Sequence, residues 1–273
     1  MNKQELIKKI IEKKEFSQLP REDVESALKK FENKNLNDYQ QMKLTRQFLR
    51  RVFSSFSSRK IFSSKIKTEE TSSTISQSKG KIAEWYLLKH KSTKERYPYY
   101  KEVYSRCLKN FKTASIIDLG AGINGLSYEF FLKTGVKVDY TAVEAIGQFA
   151  ELMNSFFNEN HLSNKARAYH LSLFNLEKIK EIIQEQKKPR VLFLFKVIDS
   201  LEIVKRNYSK NLLEELSKIS DRIIVSFATQ SLGSRKKFSA QRSWLLRFIK
   251  ENFEVLEDFE INGERYISFE TKR

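Results

Sequence analysis

Hydrophobic positions divide the chain into two parts with different periodicities. Up to Lys112 they recur every three or four positions, which is typical of amphipathic helices. The acidic residues after Pro20 favour a helix that begins at Arg21, because acidic side chains stabilise a helix N-terminus. Residues 37–53 form a further candidate, and helical spacing returns after Lys81. This part of the chain is therefore predicted to be helical.

From Ser115 onward, short apolar runs alternate with helical stretches. Five runs separated by helices predict a mostly parallel sheet with right-handed crossovers. Two more runs follow in succession, and Asn262-Gly263 between them favours the tight turn of a β-hairpin. We predict an α/β, Rossmann-like sheet of seven strands that ends in an antiparallel hairpin. The predicted strands are 115–119, 138–143, 166–170, 191–196, 222–227, 253–259 and 265–270.

A serine-rich segment interrupts the helical part. Residues 54–80 combine serines and threonines with scattered Lys and Arg. This composition is typical of a flexible basic connector, or of a segment that orders on its ligand. We predict a basic helical N-terminal region, residues 1–105 with the connector at about 54–80, and an α/β domain, residues 106–273.

The positive charge is concentrated in the N-terminal part. The chain has 51 Lys+Arg and 34 Asp+Glu, a net charge of +17 at pH 7. Residues 1–112 contain 27 basic and 13 acidic residues, which leaves +14 there and +3 in the remainder. A polyanion suits such a segment, because each phosphate that Lys or Arg neutralises releases a counterion. A merely soluble, lysine-rich region is the alternative; the asymmetry within one chain favours nucleic acid.

Several function classes lack support in the sequence. Cys107 is the only cysteine, so an intrachain disulfide is impossible and a reducing cytoplasm is expected. The three histidines lack ligand spacing and one cysteine cannot make a zinc site, so we expect no metal. The longest apolar run, 191–195, is too short to cross a bilayer, and the first residues lack a signal-peptide core. We therefore expect no membrane partner.

The first predicted strand ends in a glycine-rich turn. In an open α/β sheet a ligand binds at the carboxyl ends of the strands, where Gly120, Gly122 and Gly125 let the backbone approach it. Glu144 ends the second strand, where an acid can accept hydrogen bonds from ribose hydroxyls. NAD and S-adenosylmethionine enzymes both use such an acid. The C-terminal hairpin and the long basic region favour S-adenosylmethionine; a purely structural helix cap is the alternative for Glu144.

Four segments in order make a family recognisable. They are H-K-S-T-K-E-R (90–96), G-A-G-I-N-G (120–125), F-K-V-I-D-S-L-E (195–202) and A-T-Q-S-L-G-S-R (228–235). Together they resemble the 16S ribosomal RNA (guanine-N7) methyltransferases that confer aminoglycoside resistance. The corresponding family segments read approximately H-x-S-T-x-E-R, G-C-G-x-N-P, L-K-x-L-x-x-L-E and P-T-R-S-L-G-G-R. The resemblance extends from Ile82 to the C-terminus and covers the N-terminal helices only in character.

The resemblance implies a Rossmann-like class I methyltransferase with S-adenosylmethionine as cofactor. Its expected partner is ribosomal RNA in the assembled small subunit. Arg96 would hold the methionine carboxylate, Glu144 the ribose, and Ser172 with Leu173 would flank the adenine. Lys196 is expected in the pocket; a strand-end lysine that reaches solvent is the alternative. The expected cofactor contacts are His90, Lys91, Ser92, Arg96, Gly120, Ala121, Gly122, Asn124, Glu144, Ala145, Ser172, Leu173, Lys196 and Val197.

Basic residues outside the pocket are expected to bind RNA phosphates. Those after the fifth strand can also be interpreted as an ordinary solvated charge run. The expected RNA contacts are Arg46, Arg50, Arg51, Arg59, Lys60, Arg235, Lys236 and Lys237.

The implied chemistry needs no catalytic acid or base. Guanine N7 carries a free lone pair, so catalysis consists of alignment of N7, the methyl carbon and the departing sulfur. Gln230 stands where the family has Arg, which leaves the target nucleotide open, while Ala121, Gly125 and Glu144 replace Cys, Pro and Asp. Two alternatives stay open: an S-adenosylmethionine enzyme that acts on another RNA, and a catalytically silent RNA-binding protein with the same fold.

Overall fold

The sheet has seven strands in the order β3-β2-β1-β4-β5-β7-β6. The computed structural model describes residues 2–32, 35–53, 75–230 and 242–272. Strands β1 to β5 are parallel to one another, and β7 runs antiparallel to both β5 and β6. The strands are β1 (Thr113–Leu119), β2 (Lys137–Glu144), β3 (Ala166–His170), β4 (Arg190–Phe195), β5 (Arg222–Ala228), β6 (Phe253–Ile261) and β7 (Glu264–Thr271).

Helices precede the sheet and connect its strands. Two short 3-10 turns, Tyr97–Tyr99 and Asn124–Ser127, complete the connections. The helices are α1 (Lys3–Ile11), α2 (Arg21–Lys29), α3 (Asp38–Phe53), α4 (Ile75–Lys89), α5 (Lys91–Arg96), α6 (Tyr100–Cys107), α7 (Glu129–Leu132), α8 (Gly147–Glu159), α9 (Leu176–Gln184), α10 (Ile198–Val204), α11 (Tyr208–Ser217) and α12 (Ser243–Asn252).

The apolar runs of the parallel strands follow from burial on both faces of the sheet. In β1, Ile116 belongs to the hydrophobic core on one face and Ile117 to the core on the other. A strand covered on both faces reads as a continuous apolar run rather than an alternating one. The predicted seven-stranded, mostly parallel sheet with its C-terminal antiparallel pair is confirmed.

Helix α3 begins at a local capping signal. At α3, the Asn37 side chain accepts a hydrogen bond from the backbone of Gln40 at 2.9 Å, and the Gln40 side chain accepts one from the backbone of Asn37 at 3.0 Å. Such a reciprocal pair satisfies two amide groups that a helix start otherwise leaves exposed. The apolar face of α3, with Leu49 fully buried, then packs into the same core that covers Ile116.

The loop between α1 and α2 contacts the start of α8. The backbone N–H of Gly147 donates to the carbonyl of Gln18 at 3.1 Å, and the Gln148 side chain donates to the carbonyl of Lys14 at 2.9 Å. Since α8 follows β2 directly, these bonds hold the N-terminal helices at the carboxyl ends of the parallel strands.

The predicted serine-rich connector overlaps the start of helix α4. Helix α4 begins at Ile75, so residues 75–80 are helical rather than part of a connector. Serine and glycine lower the local helix propensity, but packing of the later turns, where Tyr86 and Leu87 are buried, outweighs it. Residues 54–74 lie outside the described residues.

Candidate cofactor site

A cavity lies at the carboxyl ends of β1, β2 and β4. Its floor is the turn after β1, and the segment that carries α5 forms one side. Asp23 of α2 and Val52 with Phe53 at the end of α3 form the opposite wall. The N-terminal helices and the α/β domain therefore enclose the cavity together.

The turn after β1 requires glycine at two positions. Gly120 has φ +73° and Gly122 has φ +58°, in the left-handed region that residues with a Cβ avoid. A Cβ on Gly120 would lie 2.6 Å from Cγ2 of Val197, and one on Gly122 would lie 3.2 Å from the His90 ring. The bare backbone thus leaves space at the end of β1 that a side chain would fill.

Glu144 closes β2 with its carboxylate turned toward the glycine turn. One carboxylate oxygen accepts the N–H of Gly122 at 2.7 Å, and the other accepts the N–H of Ile146 at 2.8 Å. Burial raises the pKa of Glu144 to about 7, although these backbone donors oppose the shift. Each oxygen keeps a lone pair, so the carboxylate can still accept hydroxyl donors from a ligand.

Four charged side chains meet at the other end of the cavity; we call Glu95, Arg96, Lys196 and Glu264 the paired cluster. Arg96 Nη2 lies 2.7 Å from one Glu264 oxygen, and Lys196 Nζ lies 3.1 Å from the other. Lys196 also contacts Glu95 at 2.7 Å. Burial alone would raise the pKa of Glu264, but the two cations outweigh it and lower that pKa to about 2.

Further bonds fix Arg96 in this cluster. Its Nε donates to the hydroxyl of Tyr266 at 3.0 Å, and Nη1 donates to the side-chain oxygen of Asn124 at 3.2 Å. Arg96 is 3% exposed. Because its guanidinium is held by groups from β7 and from the glycine turn, its position is set before any ligand enters.

Lys196 adopts a backbone conformation that is costly for a residue with a Cβ. Its φ is +57°, and its N–H donates to the carbonyl of Ser226 at 3.0 Å. Strained residues of this kind persist where the surrounding structure determines their geometry, and they cluster at functional sites. The side chain is buried in the paired cluster and lines the cavity, so it does not reach solvent as a strand-end lysine would.

His90 is neutral at pH 7. Burial, with the charges of Arg96 and Lys196, lowers its pKa to about 3. Its ring packs edge-on against Phe149, with 5.9 Å between the ring centroids. His90 therefore contributes shape and a neutral polar edge to the cavity rather than charge.

Sequence reasoning missed two buried acids at this cavity. Asp118, at the end of β1, accepts hydrogen bonds from Asn124 and from the Tyr140 hydroxyl, both at 2.7 Å, and burial raises its pKa. Its place just before the glycine turn was a signal in the sequence. Asp23 carried no such signal, because an acid in the first turn of a helix is ordinary.

Asp23 reaches the cavity from the N-terminal region. The residue is 4% exposed, and its Oδ1 accepts the Ser172 hydroxyl at 2.7 Å. Its Oδ2 is buried without a hydrogen-bond partner among the described residues. Burial raises the pKa of Asp23 to about 7; the bond from Ser172 opposes the shift, and the charges of Glu22 and Glu144 add to it. We call Asp23, Glu144 and Ser172 the acidic end.

Comparison with known proteins identifies the family. The family model of the ribosomal RNA methyltransferases named FmrO matches residues 77–258, more than half of the 273 residues. The chain belongs to this FmrO family. No curated protein sequence matches the chain.

Two solved structures share the fold of this FmrO-family chain over its full length, and a third shares it over 70% of the chain. The 16S rRNA methyltransferase RmtF, in complex with S-adenosyl-L-homocysteine, is 17% identical with a TM-score of 0.75, and each chain covers 100% of the other. The 16S rRNA methylase RmtB is 15% identical with a TM-score of 0.74, over 100% of this chain and 99% of RmtB. The 16S rRNA methylase ArmA is 20% identical with a TM-score of 0.52, over 70% of this chain and 91% of ArmA.

These comparisons confirm three predictions. The chain is a ribosomal RNA methyltransferase, it has the Rossmann-like methyltransferase fold, and its cofactor is S-adenosylmethionine. The donor set of the cavity fits this molecule. At one end, the carboxylates of Asp23 and Glu144 can accept hydrogen bonds from hydroxyl and amino groups of the cofactor. At the other end, the cations Arg96 and Lys196 can donate to a carboxylate.

The FmrO-family cavity brings most of the expected cofactor contacts together. Lys91 does not line it, and Ser172 stands behind Asp23 instead of at the surface of the cavity. The expected residues that line the cavity are His90, Ser92, Arg96, Gly120, Ala121, Gly122, Asn124, Glu144, Ala145, Leu173, Lys196 and Val197.

The expected RNA contacts differ in their environments. Arg50 forms an ion pair with Glu15, and Arg46 donates to the carbonyl of Lys9, so both are engaged within the protein. Arg51 is exposed and lies over the Phe48 ring, 5.7 Å from its centroid. Arg59, Lys60, Arg235, Lys236 and Lys237 lie outside the described residues.

The part of the chain that the structure describes contains neither a candidate membrane span nor a candidate metal site. Within the described ranges, no helix is long and apolar enough to span a membrane. The same residues contain no group of three or more His, Cys, Asp or Glu side chains that could hold a metal ion.

Proposed function

We propose that this methyltransferase methylates N7 of a guanine in 16S ribosomal RNA of the assembled small subunit. The chemistry of the paired cluster is the observation that supports N7 as the methylated atom. Among the described residues at that end of the cavity, both carboxylates of the cluster are paired with cations. Glu264 has a pKa of about 2 and His90 a pKa of about 3, both too low for efficient proton abstraction near pH 7.

A nucleophile that must lose a proton would need a general base. Exocyclic amines and ribose hydroxyls belong to that class, whereas N7 attacks with a lone pair that is already free. S-adenosylmethionine supplies an activated methyl group on a positively charged sulfur. The protein then contributes alignment, which can account for much of the rate of a transfer between bound groups.

Residue roles follow from the two ends of the cavity. Arg96 is proposed to bind the methionine carboxylate, since a guanidinium matches a carboxylate in charge and geometry. Lys196 is proposed to fix the positions of the Arg96 and Glu264 side chains. Glu144 is proposed to accept the ribose hydroxyls, and Leu173 to pack beside the adenine.

The target RNA is proposed to bind the N-terminal helices through phosphate contacts. Lys8, Lys9, Lys13 and Lys14, on α1 and the loop after it, are all exposed, as is Arg51 on α3. Phosphate contacts of this kind position an RNA without reading its sequence, so the folded shape of the ribosomal surface would set specificity.

The test uses the purified full chain with labelled S-adenosylmethionine. Small ribosomal subunits, naked 16S RNA and tRNA are offered separately, and label is mapped by cleavage at N7-methylguanine followed by primer extension. We expect one strong stop in 16S RNA from small subunits. Glu144→Gln should lose the signal, and Glu177→Gln, an exposed acid on α9, should keep it.

Other outcomes would contradict the proposed function in part or as a whole. Label on tRNA, or in 16S RNA without N7 cleavage, would contradict the proposed target while leaving a methyltransferase. Binding of S-adenosyl-L-homocysteine without label in any RNA would indicate a silent RNA-binding protein.

A further inference from the structure

One wall of the cofactor cavity belongs to the N-terminal region. Asp23 of α2 lines the cavity together with Val52 and Phe53 of α3. The Ser200 hydroxyl of α10 donates to the carbonyl of Val52 at 3.2 Å, which holds the end of α3 against the α/β domain. A cofactor in this cavity therefore contacts both parts of the chain.

Asp23 stands at the end of the cavity where the base of the cofactor belongs. In doubly wound sheets the acid at the end of β2 binds the ribose, so the base lies toward β3. Asp23 accepts its hydrogen bond from Ser172, directly after β3, and the charge of Glu144 is close enough to raise the pKa of Asp23. Ser172 and Glu144 thus place the Asp23 carboxylate on the β3 side of the cavity, where the base of the cofactor is expected.

One oxygen of this carboxylate is left without a donor. Asp23 Oδ2 is buried and has no hydrogen-bond partner among the described residues, whereas Oδ1 is satisfied by Ser172. A buried acceptor without a donor is costly, and native structures seldom retain one without a reason. A ligand donor that reached Oδ2 would remove this cost.

We propose that Asp23 accepts a hydrogen bond from the N6 amino group of the adenine of the cofactor. N6 is the donor on the exposed edge of adenine. The acceptor thus comes from α2 and not from the loop after β3, where Ser172 is too short to act alone and instead positions Asp23. This inference rests on S-adenosylmethionine as the cofactor.

A consequence is energetic coupling between the two parts of the chain. If α2 contributes a cofactor contact, cofactor binding stabilises the docked position of the N-terminal helices. By thermodynamic reciprocity, RNA that holds those helices in place raises cofactor affinity by the factor by which the cofactor raises RNA affinity. The contact would therefore favour cofactor capture on the RNA-bound enzyme.

The experiment measures binding by calorimetry with two ligands. S-adenosyl-L-homocysteine carries the N6 amino donor, and its inosine analogue carries a carbonyl acceptor in that position. The wild-type protein should prefer S-adenosyl-L-homocysteine by about tenfold to a hundredfold, as expected for a hydrogen bond to a charged group. Asp23→Asn should lose most of this preference, because its amide can donate to the inosine carbonyl.

A matched control separates a lost contact from a lost charge. Glu22→Gln removes a neighbouring acid in the first turn of α2, on an exposed side chain, and should keep the preference for S-adenosyl-L-homocysteine over the inosine analogue. Ser172→Ala should weaken the preference less than Asp23→Asn does, because it frees Asp23 without removing it. Thermal unfolding of every variant checks that it is folded.

Three results decide the proposal. Asp23→Asn with the wild-type preference between the two ligands would overturn it. A folded Asp23→Asn protein that loses both ligands equally would also overturn it, since the role would then be structural. A wild-type protein that binds neither ligand would instead overturn the cofactor assignment itself.

Discussion

Buried carboxylates at the two ends of the cofactor cavity have pKa values that are shifted in opposite directions. In the paired cluster, Arg96 and Lys196 lower the pKa of Glu264 to about 2. At the acidic end, where only neutral donors are present, burial raises the pKa of both Glu144 and Asp23 to about 7. Desolvation is common to both ends, so the difference comes from the partners.

The two ends differ in whether their charged and polar groups find partners within the protein or leave acceptors for a ligand. Every charge of the paired cluster has an opposite charge within the protein. The acidic end has an excess of acceptors, among them the unpartnered oxygen of Asp23. We therefore expect changes in the paired cluster to affect folding as well as binding, and changes at the acidic end to affect mainly binding.

The largest effect is expected from Arg96→Ala. Removal of the cation leaves Glu264 buried with less compensation, and breaking a buried ion pair from one side typically costs about 3–5 kcal/mol. Urea unfolding should show this loss in the absence of any cofactor. The double variant Arg96→Ala with Glu264→Gln should recover part of it. A single variant as stable as the wild type would show that the pair contributes nothing to folding.

A smaller effect, mainly on binding, is expected from Glu144→Gln. The amide replaces a carboxylate that is proposed to accept ribose hydroxyls, so affinity for S-adenosyl-L-homocysteine should fall about tenfold to a hundredfold. The unfolding free energy of the cofactor-free protein should fall less than in Arg96→Ala, because removal of a buried carboxyl with a raised pKa offsets the loss of one of the two backbone N–H bonds, which the amide nitrogen cannot accept. Calorimetry and urea unfolding on the same samples measure both, and unchanged affinity would remove Glu144 from the site.

The pH dependence of binding should include a contribution from the acidic end. Below about pH 7, Glu144 and Asp23 are mostly protonated in the cofactor-free protein, and a carboxyl that acts as an acceptor must first lose its proton. Affinity for S-adenosyl-L-homocysteine should therefore rise from pH 6 to pH 8, by up to about tenfold per carboxyl for each unit below pH 7.

Variants show which carboxyl causes each part of this pH dependence. Asp23→Asn should flatten part of the rise and Glu144→Gln another part, while Glu22→Gln should keep the rise and move it toward lower pH, because the charge of Glu22 adds to the raised pKa of Asp23. Glu264 cannot contribute in this range, because its pKa of about 2 keeps it ionised throughout. An affinity that stays level from pH 6 to pH 8 would contradict the role of both acids as acceptors.

The smallest effect is expected outside the cavity, at two neighbouring arginines of α3. Arg51 is exposed, whereas Arg50 is paired with Glu15. Arg51→Ala should weaken binding to small subunits about twofold to fivefold and reduce the slope of log affinity against log salt by about 1. Filter binding at several salt concentrations measures both quantities. A larger loss for Arg50→Ala than for Arg51→Ala would reverse the assignment.

The sequence predicted the elements of the sheet well for a physical reason. Strands buried on both faces leave continuous apolar runs, and an Asn-Gly pair needs no distant residue to favour a turn. The cavity residues that lie within one local motif were predicted for a similar reason. Gly120 and Gly122 are required by their own backbone angles, and Arg96 is part of a contiguous segment.

The partners that complete the cavity could not be predicted, because they come from distant elements. Glu264 looked like a residue of the hairpin turn, and only the pairing of β7 with β5 brings it to Arg96 and Lys196. Asp23 looked like an ordinary acid at the start of a helix. Its burial depends on docking of α2 against the end of β3, which no local pattern encodes.

The ion pair between Arg96 and Glu264 spans 168 residues of chain, which constrains when the site can form. During synthesis the chain emerges from its N-terminus, so Arg96 and Lys196 are both available long before β7 exists to receive them. A nascent chain that has reached only β5 has the glycine turn and the pair of Lys196 with Glu95, but its Arg96 still lacks Glu264. Cofactor capture should therefore begin only after the last strand has paired, so that a truncated translation product would not sequester S-adenosylmethionine.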